Sequence, residues 1–185
     1  MQAHKPPCLA QTQQHLYPVF LVERVANNHR RKQQHVTKWT IRLAFLFLVM
    51  GGGILIGTLT APGAWYAGLN KPPFNPPNWI FAPVWTVPYV LIAMAGWRQF
   101  EARAHGSQMS LWWTQLILNF LWSPAFFVLK VPWLALAVIA ALWITIVFFI
   151  RGTWGWDRLS AVAFIPYLAW VSFATLLNLS IAVLN

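Results

Sequence analysis

The hydrophobic residues of this chain fall into five long segments separated by short links. The segments span residues 39–59, 80–97, 110–129, 132–150 and 159–184. Each has about the 17 to 25 residues that a helix needs to cross about 30 Å of hydrocarbon. A spanning segment must satisfy its own backbone hydrogen bonds, and the alternation typical of barrel strands is missing, so the pattern predicts helices. We therefore expect an all-α membrane protein, a bundle of five transmembrane helices.

Residues 1–37 are polar, with scattered Gln, His and Asn and a basic run at 29–32. This composition predicts a disordered or surface-lying tail. No uncharged apolar run precedes position 40, so the tail is not a secretory signal; an organelle transit peptide is the alternative, because the tail is rich in Arg and poor in acids. We expect a basic tail at 1–37 and one membrane domain at 38–185.

Composition agrees with a membrane protein and shows where the charge lies. Hydrophobic residues make up 58% of the chain and charged residues 9%, whereas a soluble domain has about 25% charged residues. The net charge is +10, but seven of the 13 Lys and Arg residues lie in the first 42 positions and the others lie between apolar segments. Such placement orients a chain in a membrane. We expect membrane lipid as a partner and no nucleic acid.

The basic residues of the short links predict the orientation. The tail's side of the membrane would carry Arg98, Arg103, Arg151 and Arg158, and the opposite side only Lys71 and Lys130. Because basic residues accumulate on the inner side, the N-terminus is expected inside and the C-terminus outside. The link near Lys130 is short enough that the third and fourth helices should form an antiparallel pair.

The link between the first two segments combines proline and tryptophan densely. Residues 65–86 read WYAGLNKPPFNPPNWIFAPVWT. Proline fixes φ and cannot donate a backbone hydrogen bond, so Pro72, Pro73, Pro76, Pro77 and Pro83 predict a stiff, non-helical connection. The remaining aromatic residues can cover a flat apolar surface. We expect a ligand-covering loop at about 60–80, facing outward.

The thirteen tryptophans fall into three groups under this topology. Six are expected in an aromatic belt at the inner boundary: Trp39, Trp97, Trp112, Trp113, Trp154 and Trp156. Trp65, Trp79 and Trp133 would lie near the outer boundary, where belt and ligand lid are equally good interpretations. A belt does not explain Trp85, Trp122, Trp143 and Trp170, which fall inside the spans.

Three of these four inner tryptophans share a helix face with polar or aromatic residues. The faces are Trp85 with Tyr89, then Gln115 and Asn119 with Trp122, then Tyr167, Trp170, Ala174 and Asn178. Packing between helices through amide hydrogen bonds is one interpretation. A shared cavity beneath an aromatic lid is the other, and three such faces favour it. Trp143 has no such companions and is expected to pack or to face lipid.

Prolines and glycines indicate where helices bend or approach closely. Pro88, Pro124 and Pro166 are expected to interrupt their helices. Gly53 and Gly57 form a small-residue pair that permits close packing, which we interpret as packing within the bundle, with a homodimer as the alternative.

The chemistry available to the chain is limited by what the spans lack. The acids Glu23, Glu101 and Asp157 lie outside the five segments, so neither a carboxylate pair nor a proton relay is expected. Four of the five histidines lie in the tail, and Cys8 is the single cysteine, so no metal site is expected. No Ser or Cys has a neighbouring base, which leaves no certain catalytic residue.

Several motifs together resemble the tryptophan-rich sensory protein and translocator protein family (TspO/MBR), also called the peripheral benzodiazepine receptor family. They are Trp65-Tyr66, Lys71-Pro72, Pro76-Pro77, Trp79, Pro83-Val84-Trp85-Thr86, LNFLWSPAFF at 118–127 and PYLAWVSFATLLN at 166–178. The resemblance covers residues 40–185. It implies a five-helix membrane fold whose first loop covers a pocket for tetrapyrroles such as protoporphyrin IX and for synthetic aromatic ligands.

The resemblance also assigns expected roles by motif. Trp85 and Trp170 match two tryptophans tied to the pocket chemistry, Asn119 a pocket amide, and Trp122 an aromatic wall. Ala174 matches a small residue on the fifth helix, and Trp133 a pocket tryptophan. Animal members bind cholesterol, but the aromatic and basic residues of their cholesterol motif have no counterpart in LSIAVLN at 179–185.

The expected function is that of a multi-pass membrane receptor that binds porphyrins or other flat aromatic ligands, with no cofactor required. The ligand-binding candidates are Trp65, Trp79, Trp85, Tyr89, Asn119, Trp122, Trp133, Tyr167, Trp170, Ala174 and Asn178. Rival interpretations are a light-dependent porphyrin-degrading enzyme, in which Trp85 and Trp170 donate electrons, and a transporter of tetrapyrrole or sterol. The expected location is a bacterial cell membrane, or the outer mitochondrial membrane in a eukaryote.

Overall fold

A computed structural model describes residues 36–102 and 106–185. Apart from its last two residues, the predicted tail at 1–37 lies outside the described residues, as does Arg103. The chain divides into two units, Met1–Thr40 and Ile41–Asn185, and the second contains every candidate site residue.

The described residues form helices and no strand, which confirms the all-α prediction for this part of the chain. Helix α1 covers Val36–Leu59, and α2 is a single turn at Ala64–Ala67. Helix α3 covers Asn78–Glu101. Helix α4 covers Gly106–Ser123 and continues as a wider π-helical segment, Pro124–Val128. Helices α5 and α6 cover Pro132–Thr153 and Arg158–Leu184.

Three of these helices are long and apolar enough to cross a membrane. They are α1, α5 and α6. Helices α3 and α4 are less apolar because they carry the prolines, amides and many of the tryptophans on which the site prediction depends. The described chain is thus helical with at least these three candidate spans.

The prediction of a non-helical connection over residues 65–86 is wrong at both ends. Trp65 and Tyr66 lie in α2, and residues from Asn78 onward lie in α3. Pro77 stands just before the first residue of α3, where its missing N–H costs nothing because the first helical amides have no intrahelical acceptor. The connection without helix is therefore confined to residues 68–77.

The predicted helix interruptions are milder than expected. Helix α3 continues through Pro83 and Pro88, and α6 continues through Pro166. At Pro124 the helix widens into the π-helical segment instead of ending, which accommodates the missing backbone donor. A second π-helical segment, Phe47–Gly51, lies within α1.

The belt assignment of Trp112 is wrong, because this side chain is fully buried in the core. Its indole Nε1 donates a 2.9 Å hydrogen bond to the carbonyl oxygen of Ile92, and its ring meets Phe45 edge-on with centroids 5.1 Å apart. Gly96 provides the space, since a Cβ there would lie 2.4 Å from Cζ2 of Trp112. Close approach of α3 and α4 thus draws this tryptophan inward.

Ion pairs join the helices at one end of the bundle, which we call the basic end and define by Arg98, Arg151 and Arg158. Arg98 contacts the carboxylate of Asp157 at 2.7 Å, and Arg42 contacts Glu101 at 3.0 Å. Asp157 also caps α6 by accepting from the backbone N–H of Ser160. These contacts join the first half of α1 to the end of α3, and the end of α3 to the beginning of α6.

Candidate ligand-binding site

Four aromatic side chains from α3 and α6 meet in the middle of the bundle, and we call Trp85, Tyr89, Tyr167 and Trp170 the aromatic cluster. Trp85 stacks on Tyr89 with ring centroids 5.4 Å apart. It meets Tyr167 at 6.4 Å and Trp170 at 6.1 Å, both edge-on. These ring contacts therefore bring together two of the three predicted helix faces. Trp85, Tyr89 and Trp170 are half-buried, so part of each ring remains accessible.

A chain of polar side chains lies beside these rings, and we call Tyr89, Gln115, Asn119 and Tyr167 the polar network. The hydroxyl of Tyr89 donates to Oδ1 of Asn119 at 3.4 Å, and Nδ2 of Asn119 donates to the hydroxyl oxygen of Tyr167 at 2.9 Å. Tyr167 in turn donates to Oε1 of Gln115 at 3.1 Å. Three helices are thus connected by uncharged hydrogen bonds in the apolar interior.

Gly53 in α1 determines where Tyr89 can lie. A Cβ at this position would be 2.2 Å from Cε2 of Tyr89, a distance that real side chains do not tolerate. Gly53 therefore packs within the chain, as the sequence predicted for this glycine. Its partner in the small-residue pair, Gly57, has open space around the corresponding position.

Trp122, on the same predicted face of α4 as Asn119, forms a separate polar contact with α6. Trp122 donates from Nε1 to Oδ1 of Asn178 at 3.0 Å, and Nδ2 of Asn178 donates to the carbonyl oxygen of Pro132 at 2.9 Å. Trp122 also stacks on Phe126 with centroids 5.7 Å apart. One buried asparagine thereby connects α4, the start of α5 and α6.

The predicted covering loop is seated on this second group through α2. Trp65 meets Phe126 edge-on at 5.8 Å. Tyr66 is buried and meets Phe127 at 5.4 Å. The Lys71 ammonium lies 4.7 Å from the centroid of the Tyr66 ring and donates to the carbonyl oxygen of Ala67 at 3.2 Å. Trp65 and Tyr66 therefore face the bundle.

The loop is also fastened to the end of α6 by a pair of asparagines. The backbone N–H of Asn70 donates to Oδ1 of Asn185 at 2.9 Å. In return, Nδ2 of Asn185 donates to the carbonyl oxygen of Asn70 at 3.0 Å. Two hydrogen bonds thus hold residues that are far apart in the sequence, and nothing in the local sequence predicted this contact.

Two of the predicted site residues lie apart from the rest. Trp79 is 74% exposed and Trp133 is 58% exposed, and neither makes a ring contact with another described residue. Ala174 is buried in the same core as Tyr167, in agreement with its small size. Trp143, expected to have no companions, donates to the Ser172 hydroxyl at 2.8 Å on the exposed side of the bundle.

Sequence reasoning did not name Tyr66 and Phe126 as site residues. Phe126 follows Trp122 by four positions, so extending that helix face by one turn would have found it. The contact of Gly53 with Tyr89 could not be found this way, because it joins two helices.

The aromatic cluster and the polar network together offer a ligand stacking surfaces and neutral hydrogen-bonding groups. In the loop, burial raises the pKa of Tyr66, and the hydrogen bond to Asn75 opposes that shift, so its hydroxyl is neutral at physiological pH. Half-buried indole and phenol rings bind flat aromatic molecules by offset or edge-to-face contact. Neutral amides and hydroxyls orient such a ligand without an ionised group.

The chain is similar to known proteins over most of its length. The family model described as the TspO/MBR family matches residues 44–184. The chain is 36% identical over 147 residues to the tryptophan-rich sensory protein of Cereibacter sphaeroides, covering 80% of this chain and 92% of that protein. It is 38% identical over 145 residues to the tryptophan-rich protein TspO of Archaeoglobus fulgidus, covering 77% and 93%.

Similarity extends to animals, since the chain is 32% identical over 151 residues to the translocator protein of Bos taurus, covering 76% of this chain and 87% of that protein. The region that matches the family model runs from within α1 to the end of α6, and so contains both the seated loop and the aromatic cluster. The chain therefore belongs to the TspO/MBR family and is a membrane protein.

Proposed function

We propose that this protein is a membrane receptor for porphyrins and other flat aromatic ligands. The observation that carries the proposal is the aromatic cluster, in which rings from α3 and α6 converge beside the polar network. A tetrapyrrole presents a large planar face, which half-buried indoles bind without a charged partner. The names of the relatives, a tryptophan-rich sensory protein and translocator proteins, support a sensing or binding role.

The ligand would stack on the accessible parts of Trp85 and Trp170, and Asn119 would orient it. Trp122 and Asn178 would form a wall toward the loop, and α2 would cover the site through Trp65. Lys71 is near the loop surface and is able to meet a propionate. Trp79 and Trp133, which are exposed, would join the site only if the loop closes further on ligand binding.

The decisive experiment is a titration of the purified protein with protoporphyrin IX, monitored by quenching of tryptophan fluorescence. Because the proposed ligand is an acceptor within contact distance of Trp85 and Trp170, saturable quenching is expected. The matched comparison is the Trp85→Leu and Trp170→Leu double variant. If wild type and double variant show the same affinity, the ligand binds elsewhere and the proposal is wrong.

An enzyme is the second candidate, because the edge contact of Trp85 with Trp170 places two oxidisable rings together. In this interpretation they would donate electrons to a photoexcited porphyrin. Illumination of the complex separates the two functions. Loss of the porphyrin absorption bands in the wild type, but not in the double variant, would identify the degrading enzyme, whereas stable bands identify a receptor.

We also propose that five helices span the membrane, with the N-terminus inside. At about 1.5 Å per residue, the 24 residues of α3 are long enough to cross, although α3 and α4 are less apolar than the other three. The basic end would face inward because it carries Arg98, Arg151 and Arg158. Reporter fusions at the two ends of the chain test this topology, and finding both on one side would refute five spans.

A further inference from the structure

A recess outside the aromatic cluster and the polar network lies along α4 and α5. It is an open groove between the beginning of α4 and the end of α5, at the basic end. Its polar lining includes Ser107, Gln108, Thr114 and Arg151, and its apolar lining includes Leu111 and Phe148. Arg151 lies in the last turn of α5, and Phe148 is one turn deeper along the same helix. The charge of the groove is therefore at its mouth, and the apolar side chains of Leu111 and Phe148 lie further in.

The cation of this groove has no carboxylate partner in the described part of the chain. The two acidic residues described there, Glu101 and Asp157, contact Arg42 and Arg98. Arg151 is exposed and forms an ion pair with neither. Because α5 is a candidate membrane span, this guanidinium is positioned at a boundary where lipid phosphates are the abundant anions.

The groove also contains a buried acceptor that the described residues leave unsatisfied. Oε1 of Gln108 is inaccessible to solvent and has no hydrogen-bond partner among them. The Gln108 side chain reaches this position because it packs on Gly152, where a Cβ would lie 2.1 Å from Nε2. A buried oxygen without a donor is costly, so rotation of the Gln108 side chain toward the groove, where a ligand supplies an O–H, would remove this cost.

We propose that the groove binds one phospholipid whose headgroup is anionic and carries hydroxyls, with phosphatidylglycerol as the matching chemistry. Its phosphate would contact the guanidinium of Arg151, and the Gln108 side chain would turn toward the groove so that a glycerol hydroxyl donates to its Oε1. One acyl chain would lie along Leu111 and Phe148. Phosphatidylcholine fits less well, because its headgroup has no hydrogen-bond donor for Gln108 and its ammonium opposes the charge of Arg151.

The test is to measure dioleoyl phosphatidylglycerol bound to the full-length protein by native mass spectrometry from detergent micelles. Arg151→Gln is expected to weaken binding by about tenfold, the effect of losing one charge-assisted contact. Arg158→Gln is the matched control, because it removes the same charge from the same end and Arg158 lies over the ring of Trp154 instead. Its lipid affinity is expected to equal that of the wild type.

Further measurements distinguish an intact lipid from a free phosphate and test the predicted contact with Gln108. Glycerol 1-phosphate in solution should not displace the lipid, and dioleoyl phosphatidylcholine should bind at least tenfold more weakly; failure of either arm overturns the lipid proposal. Gln108→Leu should also weaken phosphatidylglycerol binding. If Gln108→Leu instead leaves lipid binding unchanged, or if Arg151→Gln and Arg158→Gln behave alike, the groove is not the site.

Discussion

The side-chain amide of Asn119 donates a 2.9 Å hydrogen bond to the hydroxyl of Tyr167, which is fully buried. This bond joins α4 to α6 in the apolar interior. Asn119 also accepts from Tyr89, so one amide restrains two rings of the aromatic cluster. Because each of these rings contacts Trp85, the polar network determines the shape of the proposed binding surface.

Replacing Asn119 with Leu should destabilise the bundle and distort the site. Tyr89 would lose its acceptor and Tyr167 would lose its donor while keeping its bond to Gln115. Such hydrogen bonds in membrane interiors contribute about 0.6 to 1.7 kcal/mol each. We expect a lower midpoint of thermal unfolding in detergent and weaker binding of protoporphyrin IX. Ser172→Ala is the control, since it removes the exposed bond from Trp143. An equal loss of porphyrin affinity in both variants would contradict the proposed role of Asn119.

Replacing Gly53 with Ala should force Tyr89 away from its present position. The added methyl would overlap the ring, and such overpacking costs about 1 to 3 kcal/mol. Porphyrin affinity should fall together with stability, because Tyr89 stacks on Trp85. Gly57→Ala is a closely matched control on the same helix, where the added methyl meets open space. Stability is measured by denaturation and porphyrin affinity by fluorescence titration for both variants. Equal stability and equal affinity of the two variants would refute the contact between Gly53 and Tyr89.

The proposed ligand contacts of Trp85 and Trp170 can be tested by a double-mutant cycle. Each change to Leu should weaken porphyrin binding by about 0.5 to 1.5 kcal/mol through lost aromatic contact. Their effects should not add, because the rings touch each other and the same ligand. Trp143→Leu is the control, since this indole lies on the exposed side. If Trp143→Leu weakens porphyrin binding as much as Trp85→Leu or Trp170→Leu does, the effect reflects a general loosening of the bundle, and the proposed ligand contacts are wrong.

Removing the Asn185 side chain should release the loop. Asn185→Ala loses both hydrogen bonds to Asn70, each worth about 0.5 to 1.5 kcal/mol. Faster hydrogen exchange at residues 68–77 and faster dissociation of porphyrin are expected, with little change in helix content. Ser180→Ala serves as the control, because that hydroxyl bonds only to Leu176 within its own helix. An unchanged dissociation rate in Asn185→Ala would show that the loop does not gate the site.

The contacts of Asp157 should make stability depend on pH in the acid range. Burial opposes its ionisation, but hydrogen bonds from Arg98 and Ser160 and the charge of Arg98 outweigh that effect, so its pKa lies below the ordinary value of 3.8. A lowered folded-state pKa means that the carboxylate stabilises the protein above 3.8. This contribution is lost as the pH falls through the folded-state value.

Thermal unfolding at several pH values below about 5 checks this linkage. Asp157→Asn should be less stable than the wild type at neutral pH, and the difference should shrink as the pH falls. Parallel curves for the two proteins would contradict the proposed contribution.

Local sequence is enough to place the helices and to identify the faces that carry chemistry. The five predicted apolar segments fall on α1 and on α3 to α6, because a long apolar run satisfies its backbone hydrogen bonds internally as a helix. The shared face of Asn119 and Trp122 follows from 3.6 residues per turn, a property of one helix alone. The same reasoning applies to Trp85 with Tyr89 and to Tyr167 with Trp170.

Which faces meet was decided only by packing between helices. The sequence predicted Trp112 at the membrane boundary, yet it lies in the core because Gly96 has no side chain to occupy the same space. Asn70 and Asn185, 115 positions apart, meet because α2 and α6 end on the same side of the bundle. Periodicity describes neighbours along one helix, whereas these contacts depend on the shapes of surfaces from distant segments, and only the tertiary structure brings such surfaces together.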